Sequence, residues 1–133
     1  MSGFNVCTEF KTFNSTRENI VHVCSNLNLL SAYLKHEQIT ILSSNHDQAE
    51  LEWKGMGKIK VHRNTAISLP YMEYQFTGLM GYTVLLRIKL STNESSLCVE
   101  SESQIPLVFR SMIKPQVLQF QNQIRDALCA IPA

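Results

Sequence analysis

The sequence predicts a single α+β domain over residues 1–133, a seven-stranded antiparallel sheet wrapped around a long C-terminal helix, with two short helices after strand 1. Three observations predict it. Apolar and polar residues alternate from Phe4 to Thr12 and again from Gln38 to Ile105, the period of strands with one buried face. Between these stretches, and again after Ile105, apolar residues recur at steps of three and four, the helical interval. A chain of 133 residues supplies one core and no more.

The first strand places Phe4, Val6, Thr8, Phe10 and Thr12 inward, with Asn5, Cys7, Glu9 and Lys11 outward. Ser15-Thr16-Arg17-Glu18 then has the spacing of a capping box, in which a hydroxyl and a carboxylate satisfy the first free amides of a helix. Ile20, Val21, Val23, Cys24, Leu27, Leu30, Tyr33 and Leu34 follow at helical intervals, and a bend near Ser25-Asn28 divides them into two short helices.

Parity fixes the turns of the meander. Neighbouring strands share an apolar face only when the connecting loop has the matching odd or even length. Ala49, Leu51 and Trp53 are odd, and so are Ile59 and Val61. The loop between them is therefore odd, and Gly55-Met56-Gly57 fits it. That register sets Trp53 opposite Ile59 and Leu51 opposite Val61 inside, with Glu52 opposite Lys60 and Glu50 opposite His62 outside. Ile67 and Leu69 are odd whereas Met72, Tyr74 and Phe76 are even, which predicts an even turn at Pro70-Tyr71. Thr77-Gly78-Leu79-Met80-Gly81 links to Tyr82, Val84, Leu86, Ile88 and Leu90, and the polar run Ser91–Ser96 precedes Leu97, Val99, Ser101, Ser103 and Ile105.

At the C-terminus Phe109, Ile113, Val117, Phe120, Ile124, Leu128 and Ile131 draw one apolar stripe along a helix of about 25 residues, roughly 37 Å long. Pro115 should kink it or start a new turn near Ser111-Lys114, because proline lacks the amide and clashes with the preceding turn. Gln116, Gln119, Asn122, Gln123 and Asp126 form its solvated face. This helix is the element long enough to cover the sheet. A twisted sheet leaves a wedge against a straight helix wherever side chains are too small to meet, and that wedge is the candidate site.

Arg63 shares the parity of Ile59 and Val61, so its guanidinium falls on the core-building face. An unpaired charge there is costly. It either grips a ligand carboxylate or phosphate, or reaches water past the helix, or is turned out by a bulge. Tyr74 and Tyr82 are inward by the same parity and require hydrogen-bond partners. Ser101 and Ser103, inward on the last strand, are candidates for those partners or for ligand contacts. Trp53, Phe76, Phe120 and Ile124 supply an apolar lining, which fills space if no ligand is present.

Composition narrows the partners. With 44% hydrophobic and 17% charged residues and a net charge of +1, the chain is neither disordered nor a nucleic-acid coat. Lys54, Lys58, Lys60 and His62 form a basic outer stripe, but Glu50 and Glu52 balance it and no aromatic interleaves; no nucleic acid is expected. No basic start followed by an apolar run is present, nor a stretch near the ~20 apolar residues of a membrane span. The expectation is a cytoplasmic protein without stable membrane insertion. Cys7, Cys24, Cys98 and Cys129 show no CxxC pair or zinc spacing, so free thiols, no metal and no cofactor are expected. His22, His36, His46 and His62 stand in no catalytic order, and there is no phosphate loop, dinucleotide fingerprint or repeat.

Three stretches carry a resemblance. Thr8-Glu9-Phe10 with Phe13-Asn14-Ser15-Thr16-Arg17-Glu18-Asn19-Ile20 resembles the first strand and helical hairpin of the START-like, or polyketide cyclase/dehydrase (SRPBCC), superfamily. Gly55-Met56-Gly57-Lys58-Ile59-Lys60-Val61 through Leu69-Pro70 resembles its glycine-marked strand passage. Lys114-Pro115-Gln116-Val117 through Ile124-Arg125-Asp126-Ala127-Leu128 resembles the closing helix of its short bacterial members. The resemblance implies a helix-grip fold and binding or transport of a small hydrophobic or aromatic molecule between helix and sheet. It also implies two alternatives. One is a polyketide cyclase/dehydrase-type enzyme, with Arg63 polarising a carbonyl and a tyrosine as acid. The other is a protein-interaction or chaperone-regulating module, or a homodimer. The superfamily has no universal catalytic motif, so no catalytic residue carries over.

Overall fold

The alternating stretch folds into β3 (Ile39–Ser44), β4 (Gln48–Trp53), β5 (Gly57–Asn64), β6 (Tyr71–Leu79), β7 (Tyr82–Leu90) and β8 (Ser96–Ser103), following β1 (Phe4–Cys7) and β2 (Lys11–Thr12). All pairings are antiparallel, in the order β1-β8-β7-β6-β5-β4-β3, with β2 also on β8. This is a computed structural model, and it describes residues 3–34, 37–64 and 71–133. The predicted Pro70-Tyr71 turn falls partly outside them, as do Thr65, Ile67, Leu69 and His36; Tyr71 itself is in β6.

The seven-stranded path stands, but its first strand is broken. The Thr8 amide donates to the Val99 carbonyl at 3.0 Å, and its hydroxyl accepts from the Val99 amide at 3.0 Å. A side chain thus takes one rung of the ladder, and the chain leaves register before β2 re-forms. Inward alternation therefore fails beyond Thr8: Phe10 and Thr12 are exposed, while Phe13 is buried. The short helices α1 (Arg17–Cys24) and α2 (Leu27–Leu30) follow β2 rather than strand 1. Thr16, one residue beyond the predicted cap, accepts from the Asn19 amide at 3.1 Å, and Asn26 caps α2 by accepting from the Asn28 amide at 2.9 Å.

The parity argument gave the correct faces and the wrong partners. Leu51 pairs with Ile59, Ala49 with Val61, Glu50 with Lys60, Glu52 with Lys58 and Gln48 with His62. The loop has three residues, Lys54-Gly55-Met56, closed by the Met56 amide on the Trp53 carbonyl at 2.8 Å. Gly55 takes the positive φ of +88° that such a turn requires. Because Lys58 and Lys60 repeat every two residues, a slip of two preserves both the apolar face and the charge pairing. At the β6–β7 hairpin the linker is shorter than predicted: β6 continues to Leu79 and Met80-Gly81 forms the turn, both at positive φ, after an irregularity at Gly78.

The last helix, α3 (Leu107–Cys129), starts two residues before Phe109 and runs through Pro115 as one element, not two. Pro115 and Ser111 are exposed, so the carbonyl that the missing amide leaves free is open to solvent. Ile113, Val117, Phe120, Ile124 and Leu128 are buried, as their spacing predicts. One outer-face pairing needs correction, and one outer-face carboxylate is buried. Glu73 on β6 is buried, holding Arg87 (Nε to Oε2, 2.8 Å) and accepting from Asn64 Nδ2 at 2.7 Å. His62 faces Gln48 and Gln75, not Glu50.

Candidate functional site

α3 lies closest to β8 and β1, and its distance from the sheet grows toward β4–β7. The wedge between them is present and almost full. Trp53, Phe76, Leu79, Val84, Leu86, Ser101, Val117, Phe120 and Gln121 surround a hollow of about 20 Å³, the room of about one water molecule. Three rings fill it: the Phe120 centroid is 5.0 Å from that of Trp53 and 6.1 Å from that of Phe76.

Four of the eight predicted site residues, Trp53, Phe76, Ser101 and Phe120, meet at this hollow. The other four lie elsewhere. Ile124 is packed in the core further along α3. Tyr82 is half-buried beside the Met80-Gly81 turn. Arg63 and Tyr74 are cross-strand partners. The Tyr74 hydroxyl donates to the Cys24 carbonyl, one of the orphan acceptors at the C-terminal end of α1, rather than to Ser101 or Ser103. Burial holds its phenol well above the ordinary tyrosine value, and burial pushes the neighbouring Cys24 thiol up to about 12. Tyr74→Phe should therefore cost about 1–3 kcal/mol, the penalty for a buried carbonyl left without a donor. Urea unfolding measures it, and an unchanged midpoint would contradict the assignment.

Arg63 does face inward, and the chain itself supplies its counter-charge. Nη2 donates to Asp47 Oδ1 at 2.9 Å, and the Arg63 amide donates to the Asp47 carbonyl at 2.8 Å. Hydrogen bonds from His46 and Arg63 hold the Asp47 carboxyl below its ordinary value. Asp47 lies in the β3–β4 turn, so contact between them required the fold.

Gln121 is the residue the sequence reading missed. It is fully buried on α3, and Nε2 donates to the Val6 and Val99 carbonyls at 3.0 and 3.1 Å, fastening the helix to β1 and β8. Its Oε1 is buried without a hydrogen-bond partner among the described residues. The signal was present, since Gln121 stands four residues after Val117 on the stripe, but an apolar-only count passes over an amide.

A larger, open groove of about 520 Å³ runs over the outer sheet face past Ser43, Gln48, Glu50, Lys60, His62 and Thr77. It is shallow and open, lined by the charged pair Glu50 and Lys60 and by uncharged polar residues, with Ala49 and Val61 beneath them. Among the described residues no group of three metal-ligating side chains occurs, and no helix is long and apolar enough to cross a membrane.

No protein-family model and no curated protein matches the chain. Solved structures do. It is similar to a protein from Colwellia psychrerythraea described as an Aha1 dimer, at 16% identity and a TM-score of 0.60, over 94% of this chain and 96% of that one. A protein from Chromobacterium violaceum matches at 14% identity and a TM-score of 0.60, over 93% and 96% of the two chains. One from Staphylococcus epidermidis matches at 13% and 0.57, over 96% and 91%. At such identities the likeness is one of architecture. One sheet of antiparallel strands curled around a C-terminal helix, in this element order and over nearly the full length of these chains, is a helix-grip fold.

Proposed function

We propose that this chain binds a small, mainly apolar or aromatic molecule carrying one hydrogen-bond donor, held between α3 and the β4–β8 face. The observation that carries the reading is Gln121, whose buried amide oxygen has no hydrogen-bond partner among the described residues and which lines the hollow together with Ser101 and seven apolar residues. A buried acceptor without a donor costs free energy, and a ligand hydroxyl or N–H would recover it. The hollow holds about one water when empty, so uptake requires α3 or the three rings to shift. This favours a ligand the size of a phenol or indole over a lipid. The enzyme alternative has less support, because the Tyr74 hydroxyl is engaged by the Cys24 carbonyl and Arg63 by Asp47.

Calorimetric titration with phenol, indole, benzyl alcohol and toluene tests the proposal. The three donors should bind more tightly than toluene, by about tenfold for one buried hydrogen bond, and Gln121→Met should remove the difference. If none of the four binds, and native mass spectrometry of the protein from its own host finds no retained molecule, the reading fails.

A second reading is self-association through the start of α3. Leu107, Val108 and Met112 are 78%, 76% and 54% exposed, an unusual apolar cluster for one turn of surface helix. The Colwellia psychrerythraea neighbour, described as a dimer, makes a second copy of this chain the partner to test. Sedimentation at rising concentration should show a dimer that Val108→Glu abolishes; a monomer throughout would exclude it.

A further inference from the structure

The way Gln121 is anchored decides what it can offer a ligand. A glutamine amide has two N–H donors and one acceptor oxygen. Both donors are engaged, because Nε2 bonds the Val6 and Val99 carbonyls at 3.0 and 3.1 Å. Turning the amide over would set its oxygen against those two carbonyl oxygens, so the side chain cannot present a donor instead. Oε1 is buried and without a partner among the described residues, and it is therefore a fixed acceptor. Donation at the nitrogen also polarises the amide and strengthens that oxygen as an acceptor.

Ser101 stands beside it. Ser101 pairs with Val6, the residue whose carbonyl Gln121 holds, and it follows Val99 by two positions on the same face of β8. It is buried and lines the same hollow. Tyr74, an inward tyrosine for which Ser101 was a candidate partner, gives its hydroxyl to the Cys24 carbonyl. A serine hydroxyl donates as well as accepts, and it rotates to suit its partner. Ser101 thus supplies the donor that Gln121 lacks, and none of the described residues lining the hollow is charged.

We propose that the site selects neutral heteroaromatic lactams, flat molecules with an N–H and a C=O on neighbouring atoms, and that Ser101 sets this preference. The inference rests on the reading of the hollow as a small-molecule site. The lactam N–H donates to Gln121 Oε1, its carbonyl accepts from the Ser101 hydroxyl, and its ring lies against Trp53, Phe76 and Phe120. Lactams of one or two rings have the size of phenol and indole, but those two molecules satisfy Gln121 alone. An aromatic carboxylate brings a charge for which the lining holds no cation, and Arg63 is already held by Asp47. Burying that charge unpaired is costly, so the site rejects aromatic acids.

Calorimetric titration of the full chain with the bicyclic lactam carbostyril, N-methylcarbostyril, indole and benzoate tests the assignment. Carbostyril should bind about tenfold more tightly than indole, the gain from one further buried hydrogen bond. N-methylation removes the donor and keeps the carbonyl, so it should weaken carbostyril by about tenfold or more, and benzoate should not bind. Ser101→Ala, shown to be folded by its thermal transition, should remove the advantage of carbostyril over indole and leave indole binding unchanged. The ligand series on the native chain stands even if that variant does not fold. Indole binding with carbostyril no tighter, a carbostyril advantage that survives in folded Ser101→Ala, or benzoate binding as tightly as carbostyril would overturn the lactam assignment and leave the small-molecule site in place. Absence of binding by both indole and carbostyril would overturn the two together.

Discussion

Phe120→Ala is expected to lower stability by about 3–5 kcal/mol, the range for removing a buried aromatic ring. Phe120 is buried against both Trp53 and Phe76, with centroids at 5.0 and 6.1 Å, and it fills the part of the wedge where α3 diverges from the sheet. Against a total of roughly 5–15 kcal/mol for a domain, the loss brings the protein near unfolding. The variant also enlarges the hollow. Small aromatics that occupy the new space should raise its melting temperature more than that of the native chain, since a ligand bound only to the folded state stabilises it by mass action. Urea unfolding with and without indole measures both effects. A loss below about 1.5 kcal/mol would place the ring outside the tight core.

Gly78→Ala should be comparably damaging for a different reason. Gly78 has a φ of +104°, and a Cβ there would sit 2.7 Å from the Lys58 carbonyl oxygen. That oxygen belongs to the backbone of β5 and cannot swing aside. The conformational penalty of about 1–2 kcal/mol adds to an overpacking penalty of about 1–3 kcal/mol, giving roughly 2–5 kcal/mol. Gly55→Ala is the control, because φ there is +88° and nothing lies within 4 Å of the added Cβ. It should show the conformational cost alone. Equal losses at the two positions would refute the close approach of β6 to β5.

How far the sequence could be read depended on the kind of interaction. Apolar alternation named the inward faces of β4 to β8 and the stripe of α3, because strand and helix periods are properties of the local chain. It could not choose between registers two residues apart, since Lys58 and Lys60 repeat with the strand period itself. The break after Cys7 was hidden because it depends on Thr8 meeting Val99, which is distant in sequence.

The candidate site divides in the same way. By itself the sequence determined that Trp53, Phe76 and Ser101 share the face that meets the helix, that Phe120 stands on the helix stripe turned to the sheet, that Arg63 has the inward parity, and that one long helix covers one curved sheet, because each follows from short-range periodicity. Only the tertiary structure decided that Asp47 neutralises Arg63, that Tyr74 closes on Cys24, that Gln121 bridges β1 and β8, and that three rings leave room for about one water. Those outcomes depend on the distance between elements far apart in the chain, and a helix a few ångströms from a sheet is fixed by the summed volumes of the side chains between them, which no local pattern encodes.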